Sequence, residues 1–355
     1  MWQMKQLIII LGLIIFTILS SHFFKKISYQ DKIIKKLDSI VNELRLKCLN
    51  CDKKRDVLSS VSRLAKSPID LFNDSVVIYN RVPKTASTSL MGLAYDLCKQ
   101  NKFHVLHINT TRNVHVMSLT DQRRFIENVT TWQDKKPALY HGHVAFLNFQ
   151  RFGYTQRPIY INVIRKPLDR LVSYYYFLRY GDNFRPHAVR KRKGNTMTFD
   201  ECVKQEEKDC NPENMWLQIP FFCGFHVDCW QPGNEWALVQ AKQNLVEHYL
   251  LVGVTEELED FVAVLEAIVP RFFLGATQQF REGKKSHLRK TYNKVDPIPE
   301  TVQKIRSSNI WRMENEFYEF ALKQFHSIRK KTLIEKNGIL QDRGQKFFYE
   351  KIRPR

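Results

Sequence analysis

The stretch Val76-Val77-Ile78-Tyr79-Asn80-Arg81-Val82-Pro83-Lys84-Thr85-Ala86-Ser87-Thr88-Ser89 decides the fold class. Its first residues are apolar and β-branched, and they read as a buried strand. A proline ends the run. Lysine and a group of small or hydroxylated residues follow, and Leu90-Met91-Gly92-Leu93-Ala94 then reads as helix. Strand, tight loop and helix together make an anion site. The loop N–H groups and the helix N-terminus point at the ligand, and the lysine adds a full charge. The loop of nucleotide triphosphatases needs Gly-x-x-x-x-Gly-Lys-[Ser/Thr], and no such glycine pair stands here. Taken alone, the stretch could still be an ordinary capped helix with an exposed lysine.

Pro158-Ile159-Tyr160-Ile161-Asn162-Val163-Ile164 is a second strand of the same kind, ending at Arg165-Lys166-Pro167. Pro167 is suited to the first turn of a helix, which then runs through Ser173. Arg165 therefore sits at the carboxyl end of a strand, where open α/β sheets bind ligands. Two strand–loop–helix units predict an α/β fold with a mainly parallel central sheet flanked by helices. Gly283-Lys284-Lys285-Ser286-His287-Leu288-Arg289-Lys290-Thr291 is a basic, hydroxyl-bearing loop with a glycine hinge. Tyr140-His141-Gly142-His143-Val144 puts two imidazoles two residues apart, on one side of a strand. No third ligand at metal spacing stands nearby, so no metal site is expected. Two histidines on one face beside an anion loop favour a general base.

The chain has 355 residues, enough for one large α/β domain with appendages, and 43% of them are hydrophobic. A formal charge of +20 favours polyanionic partners: nucleic acid, anionic lipid or acidic polysaccharide. Leu7 to Phe24 is almost wholly apolar, with Lys5 before it and Lys25 and Lys26 after. It has about the minimum length for a bilayer span. No small-x-small site closes it, so it reads as a retained signal-anchor rather than a cleaved signal peptide. The expected organisation is a cytoplasmic tail (1–6), a transmembrane anchor (7–24), a stem and linker (25–74) and a catalytic domain (75–355). In the stem, Ile34, Leu37, Val41, Leu44, Cys48 and Cys51 are spaced 3, 4, 3, 4, 3, as in a coiled-coil seam or an amphipathic helix.

Cys202, Cys210, Cys223 and Cys229 lie close together. The segments 202–210 and 223–229 enclose short polar loops, which suits two local disulfides, although cross-pairings also satisfy the sequence. Cys98 lies in an apolar helix and reads as a free, buried thiol. Asn109-Thr110-Thr111 and Asn128-Val129-Thr130 are glycosylation acceptors. Anchor, cysteine cluster and acceptor tripeptides agree on a domain outside the cytosol.

Several of these motifs resemble one family. Tyr-Asn-Arg-Val-Pro-Lys-Thr-Ala-Ser-Thr-Ser, His-Gly-His, Arg-Leu-Val-Ser-Tyr-Tyr-Tyr-Phe-Leu-Arg, Trp-Leu-Gln-Ile-Pro-Phe-Phe-Cys-Gly, Gly-Lys-Lys-Ser-His-Leu-Arg-Lys-Thr and Met-Glu-Asn-Glu-Phe-Tyr-Glu-Phe together look like the heparan sulfate 2-O-sulfotransferases. The resemblance runs from about residue 76 to the carboxyl terminus. It implies a sulfotransferase fold and a donor, 3′-phosphoadenosine 5′-phosphosulfate (PAPS). Lys84, Thr85, Ala86, Ser87, Thr88 and Ser89 would form the 5′-phosphosulfate loop, and Arg165 and Ser173 would hold the 3′-phosphate. Phe280, Ser286, Thr291 and Lys294 would close over the nucleotide. His141 and His143 would act as the base pair, and Lys84 would neutralise charge on the bridging oxygen. Arg81, Tyr95, His107, Tyr174, Arg185, Arg190, Glu350 and Lys351 match substrate-binding positions. The resemblance further implies a heparan sulfate acceptor rather than nucleic acid, and a single-pass, lumenal, trimeric enzyme of the Golgi membrane. Lys166 stands where the family more often has Asp, and Gly92 where it usually has Asn.

Three other readings compete. A uronyl 2-O-sulfotransferase acting on dermatan or chondroitin sulfate would use the same catalytic residues. A kinase would need acidic metal ligands and a triphosphate loop. A non-catalytic heparin-binding membrane protein would need the basic surface but not Lys84, His141 and His143 in one site.

Overall fold

The computed structural model of the chain describes residues 74–283, 290–336 and 338–347. The anchor, the stem seam with Cys48 and Cys51, and Ser286, Glu350 and Lys351 lie outside the described residues.

Five strands form a parallel sheet among the described residues. They are β1 (Val76–Asn80), β2 (His104–Ile108), β3 (Ala138–Gly142), β4 (Ile159–Ile164) and β5 (Tyr249–Val254), in the order β2-β3-β1-β4-β5. Helices cover both faces, as a buried parallel sheet requires. They include α1 (Ser87–Leu97), α2 (Leu119–Thr131), α3 (Pro167–Tyr180), α4 (Gln218–Cys223), α5 (Glu235–His248), α6 (Leu258–Ile268) and α7 (Asn309–Thr332). A short antiparallel hairpin, β6 (Leu333–Lys336) and β7 (Ile339–Asp342), follows α7.

The alternation of β1 explains its continuous apolar run. Val76 and Ile78 enter one core, with Phe222, Ala241 and Phe317, while Val77 and Tyr79 enter the other, with Leu93, Phe261 and Phe325. Both faces of the strand are buried, so no polar position interrupts it. A third core packs α3 against Phe199, Cys202 and Cys210. Cys202 is bonded to Cys210 and Cys223 to Cys229, which are the local pairings expected from the short loops. Cys98 is a free thiol, but it is half-buried rather than buried, because it caps the carboxyl end of α1 instead of lying within the helix.

The strand order positions the site. From β1 the chain builds β2 and β3 on one side, then crosses to β4 on the other. The switch point therefore lies at the carboxyl ends of β1 and β4, where open sheets form a crevice. The lysine loop leaves one strand and Arg165 ends the other.

Candidate active site

The loop after β1 is built on two left-handed residues, Lys84 (φ 69°) and Ala86 (φ 57°). Thr85 is buried, and its hydroxyl donates to the Val82 carbonyl at 2.9 Å, which closes the turn. α1 then starts at Ser87 with no side-chain cap and no acidic residue in its first turn. Its leading N–H groups face an environment suited to an anion rather than to a capping carboxylate. Arg165 Nη1 donates to the Lys84 carbonyl at 3.4 Å, so the two strand ends meet as the sequence predicted. Lys84 Nζ donates to Thr291 Oγ1 at 3.1 Å, and Ser173 Oγ lies 3.4 Å from the same hydroxyl. Lys84, Arg165 and Ser173 line a cavity of about 240 Å³ with Ala86, Thr88, His143, Tyr174, Phe177, Asp182 and Thr255.

A second, larger cleft of about 690 Å³ adjoins it. Arg81, Tyr95, His107, His141, His143, Phe184, Arg185 and Arg190 are among its lining residues. Thr88, His143 and Phe177 line both spaces. Register explains the histidine cluster. His107 of β2 stands opposite His141 of β3, which stands opposite Tyr79 of β1. The His107 and His141 rings stack at 4.8 Å. Gly142 between the two histidines is obligatory, since a Cβ there would lie 2.6 Å from the Ile108 carbonyl oxygen. β3 ends at this glycine, so His143 lies one residue beyond the strand yet lines the same cleft as His141.

On the arginine side, Asp182 is buried and organises the loop after α3. Its Oδ1 accepts from the N–H groups of Phe184 and Arg185, each at 3.2 Å, and pairs with Arg190 Nη2 at 3.6 Å. Lys84 Nζ lies 4.3 Å and Arg190 Cζ 4.4 Å from the centroid of the Phe177 ring, so one aromatic ring holds a cation from each space.

Two comparisons fix the family. Residues 67–321 match the model described as the sulfotransferase family. The chain belongs to the sulfotransferase family. Heparan sulfate 2-O-sulfotransferase 1 of Homo sapiens and that of Pongo abelii are each 60% identical to it over 287 residues, 81% of this chain and 81% of theirs. The heparin sulfate O-sulfotransferase of Drosophila melanogaster is 58% identical over 280 residues, 79% of each chain.

In this sulfotransferase the two histidines differ in what they can do. His143 Nδ1 lies 2.8 Å from the Arg81 carbonyl. A carbonyl only accepts, so Nδ1 carries the hydrogen and Nε2 keeps its lone pair in the neutral ring. Burial first, and then the Arg81 guanidinium, hold the His143 pKa down to about 4. His141 Nε2 is 2.9 Å from the Tyr95 hydroxyl, and its Nδ1 is buried without a hydrogen-bond partner. Burial, Arg81, His107 and His143 lower its pKa to about 3. Both rings are neutral at physiological pH, and His143 offers the freer nitrogen. The His107 pKa is lowered too, by burial and then by Arg81 and Arg185.

The remaining expected residues fall in several places. Ser87 and Ser89 are buried in the first turn of α1. Tyr174 lines the smaller cavity rather than the arginine-lined cleft. Phe280 lies in a short helix, Ala276–Glu282, and packs in part against the second core. Lys294 pairs with Asp296 at 2.7 Å. Asn109 is on the wall of the larger cleft, and Asn128 is inside α2. Phe177, Asp182 and Thr255 line the sulfotransferase site without having been expected there. Phe177 had a signal, since it stands one helical turn after Ser173 on the same face of α3.

Proposed function

We propose that this sulfotransferase transfers a sulfuryl group from PAPS to the 2-hydroxyl of a hexuronic acid, chiefly iduronate, in heparan sulfate. The activity named for its relatives supports the acceptor, and the family supports the donor. The observation that carries the reading is the junction of two unlike spaces. One is small and lined by a lysine loop, an uncapped helix N-terminus, Arg165 and Ser173. The other is larger and lined by Arg81, Arg185 and Arg190. His143 is common to both.

The donor set of the smaller space fits PAPS. Lys84 and the leading N–H groups of α1 suit the 5′-phosphosulfate, and Arg165 with Ser173 suits the 3′-phosphate. Bound there, the donor supplies the sulfuryl group and a phosphate leaving group. Thr85, Ala86, Ser87, Thr88 and Ser89 complete the loop, and Phe280, Ser286, Thr291 and Lys294 close over the nucleotide. The arginines of the cleft, with Lys351, grip the carboxylates and sulfates of the polysaccharide, Tyr95 and His107 add neutral hydrogen-bonding groups, Glu350 accepts from sugar hydroxyls, and Tyr174 meets the acceptor from the wall of the smaller cavity. His143 Nε2 takes the proton of the acceptor hydroxyl as its oxygen bonds to sulfur and the bond from sulfur to the bridging oxygen breaks. Lys84 Nζ neutralises charge growing on that oxygen. His141 holds Tyr95 and packs against His107, shaping the acceptor side. Alignment and charge stabilisation do most of the work.

The further reading is of a Golgi-membrane enzyme, anchored through residues 7–24 with the catalytic domain lumenal. In it Asn109 and Asn128 carry glycans, and the chains form a trimer aided by Ile34, Leu37, Val41 and Leu44. The test of function is incubation of the full chain with PAPS and N-sulfated heparan or dermatan acceptors, followed by disaccharide mapping. Sulfate at the uronate 2-position of heparan is expected. Product on dermatan alone would transfer the enzyme to the uronyl class. Nucleotide binding without product on any acceptor would refute the catalytic reading.

A further inference from the structure

The end of β4 is held at every peptide group by side chains from distant parts of the chain. Thr255 Oγ1 donates to the Ile164 carbonyl at 3.0 Å, and the Lys166 N–H donates to Glu256 Oε1 at 3.1 Å. Between them, Gln218 takes both groups of Arg165. Its Oε1 accepts from the Arg165 N–H at 2.9 Å, and its Nε2 donates to the Arg165 carbonyl at 3.0 Å. A primary amide meets that donor–acceptor pair in one orientation and opposes it in the other.

Glu314 sets the orientation. Its Oε2 accepts from Gln218 Nε2 at 3.2 Å, and its Oε1 accepts from the N–H groups of Leu217 at 2.9 Å and Ile219 at 3.1 Å. Gln218 and Glu314 are both 0% exposed, and Arg170, 1% exposed, interacts electrostatically with Glu314. Burial pushes the Glu314 carboxyl up, while Arg170 and the three N–H donors act against that shift. A core needs none of this, because apolar residues of similar volume bury without the desolvation cost.

We propose that Gln218, oriented by Glu314, is the positioning residue of the 3′-phosphate arginine. It fixes the Arg165 backbone, and so the origin of a guanidinium that also bonds the lysine loop. This rests on reading Arg165 as the ligand of the donor's 3′-phosphate. The pair controls preference for nucleotides that carry a 3′-phosphate and leaves the grip on the 5′ end to the lysine loop.

The experiment measures calorimetric affinities of the full chain for adenosine 3′,5′-bisphosphate and adenosine 5′-monophosphate. Their ratio isolates the 3′-phosphate. Gln218→Met and Glu314→Gln should each lower that ratio roughly tenfold or more, the size of a charged hydrogen bond put out of register. Affinity for the monophosphate should change little. Arg165→Ala is the reference and should abolish the preference. If Arg165→Ala leaves the ratio intact, the site reading itself fails. If Arg165→Ala abolishes it while both other variants fold and keep it, Gln218 is structural and the positioning role is refuted. A further measurement needs no substitution. The Arg165 amide should exchange hydrogen as slowly as the interior amides of β4 with no nucleotide bound. Fast exchange there would overturn the inference even if neither variant folded.

Discussion

Replacing His143 with alanine is the most direct probe of the chemistry. With a pKa of about 4, its ring is neutral by about a thousand to one at pH 7, so nearly every molecule holds the base form. The bond from Nδ1 to the Arg81 carbonyl aims Nε2 and fixes the tautomer. Loss of a positioned general base costs about 10²–10⁴ in rate. That is roughly 3–5 kcal/mol of transition-state stabilisation. The structural cost is smaller. The Arg81 carbonyl loses one partner, worth about 1–3 kcal/mol if it stays buried, against a typical stability of about 5–15 kcal/mol. No hydrogen bond links either ring to Lys84, Arg165, Ser173 or Thr291 among the described residues, so affinity for adenosine 3′,5′-bisphosphate should fall far less than turnover. His141→Ala should slow turnover less, because its Nε2 is engaged with Tyr95. The assay pairs sulfate transfer to an N-sulfated heparan acceptor with nucleotide calorimetry. Near-wild-type turnover of His143→Ala would refute the base assignment. Nucleotide binding lost in proportion to activity would make the ring structural.

Four further outcomes follow from the structure. The His143 pKa of about 4 lies below its ordinary 6.5, so between these values the unfolded chain binds a proton that the folded chain does not. Its contribution to stability is complete above pH 6.5 and declines as pH falls through about 4, with His141 declining through about 3; melting temperatures across that range test this. The acid limb of kcat/KM should likewise lie below pH 6.5, and Arg81→Met should move it upward by removing the charge that lowers it. Gly142→Ala forces a methyl group to within 2.6 Å of the Ile108 carbonyl and should destabilise by about 1–3 kcal/mol, visible as a lower denaturant midpoint. Non-reducing peptide mapping should recover Cys202 with Cys210 and Cys223 with Cys229; serine at both positions of either pair should cost about 2–3 kcal/mol.

The sheet was legible because β1 and β4 are buried on both faces and bounded by Pro83 and Pro167, so composition and punctuation agree. The smaller cavity was legible for a related reason, since Lys84, Arg165 and Ser173 lie close in sequence to those strand ends. The meeting of Arg81, Arg185 and Arg190 in one cleft was legible mainly through family resemblance, because they come from separate loops whose meeting no local pattern encodes. Gln218, Asp182 and Thr255 were not legible as site residues. Gln218 acts on a strand end 53 residues away, and only the packing of α4 and α7 brings that about. The distinction between His141 and His143 also waited for structure, as it depends on the Tyr95 hydroxyl and the Arg81 carbonyl rather than on spacing.

Thr88, His143 and Phe177 belong to the walls of both spaces, and this has a kinetic consequence. The two spaces open on a shared wall, so donor and acceptor can be resident together. In the proposed step the acceptor oxygen bonds to sulfur as the bond from sulfur to the nucleotide oxygen breaks, a single displacement that inverts the sulfur centre. Initial rates measured over a grid of both concentrations should therefore give intersecting reciprocal plots rather than the parallel ones of a ping-pong enzyme. A spent nucleotide that lingers would hold the chain idle however much polysaccharide surrounds it, so the pace of sulfation along a chain would be set by nucleotide exchange.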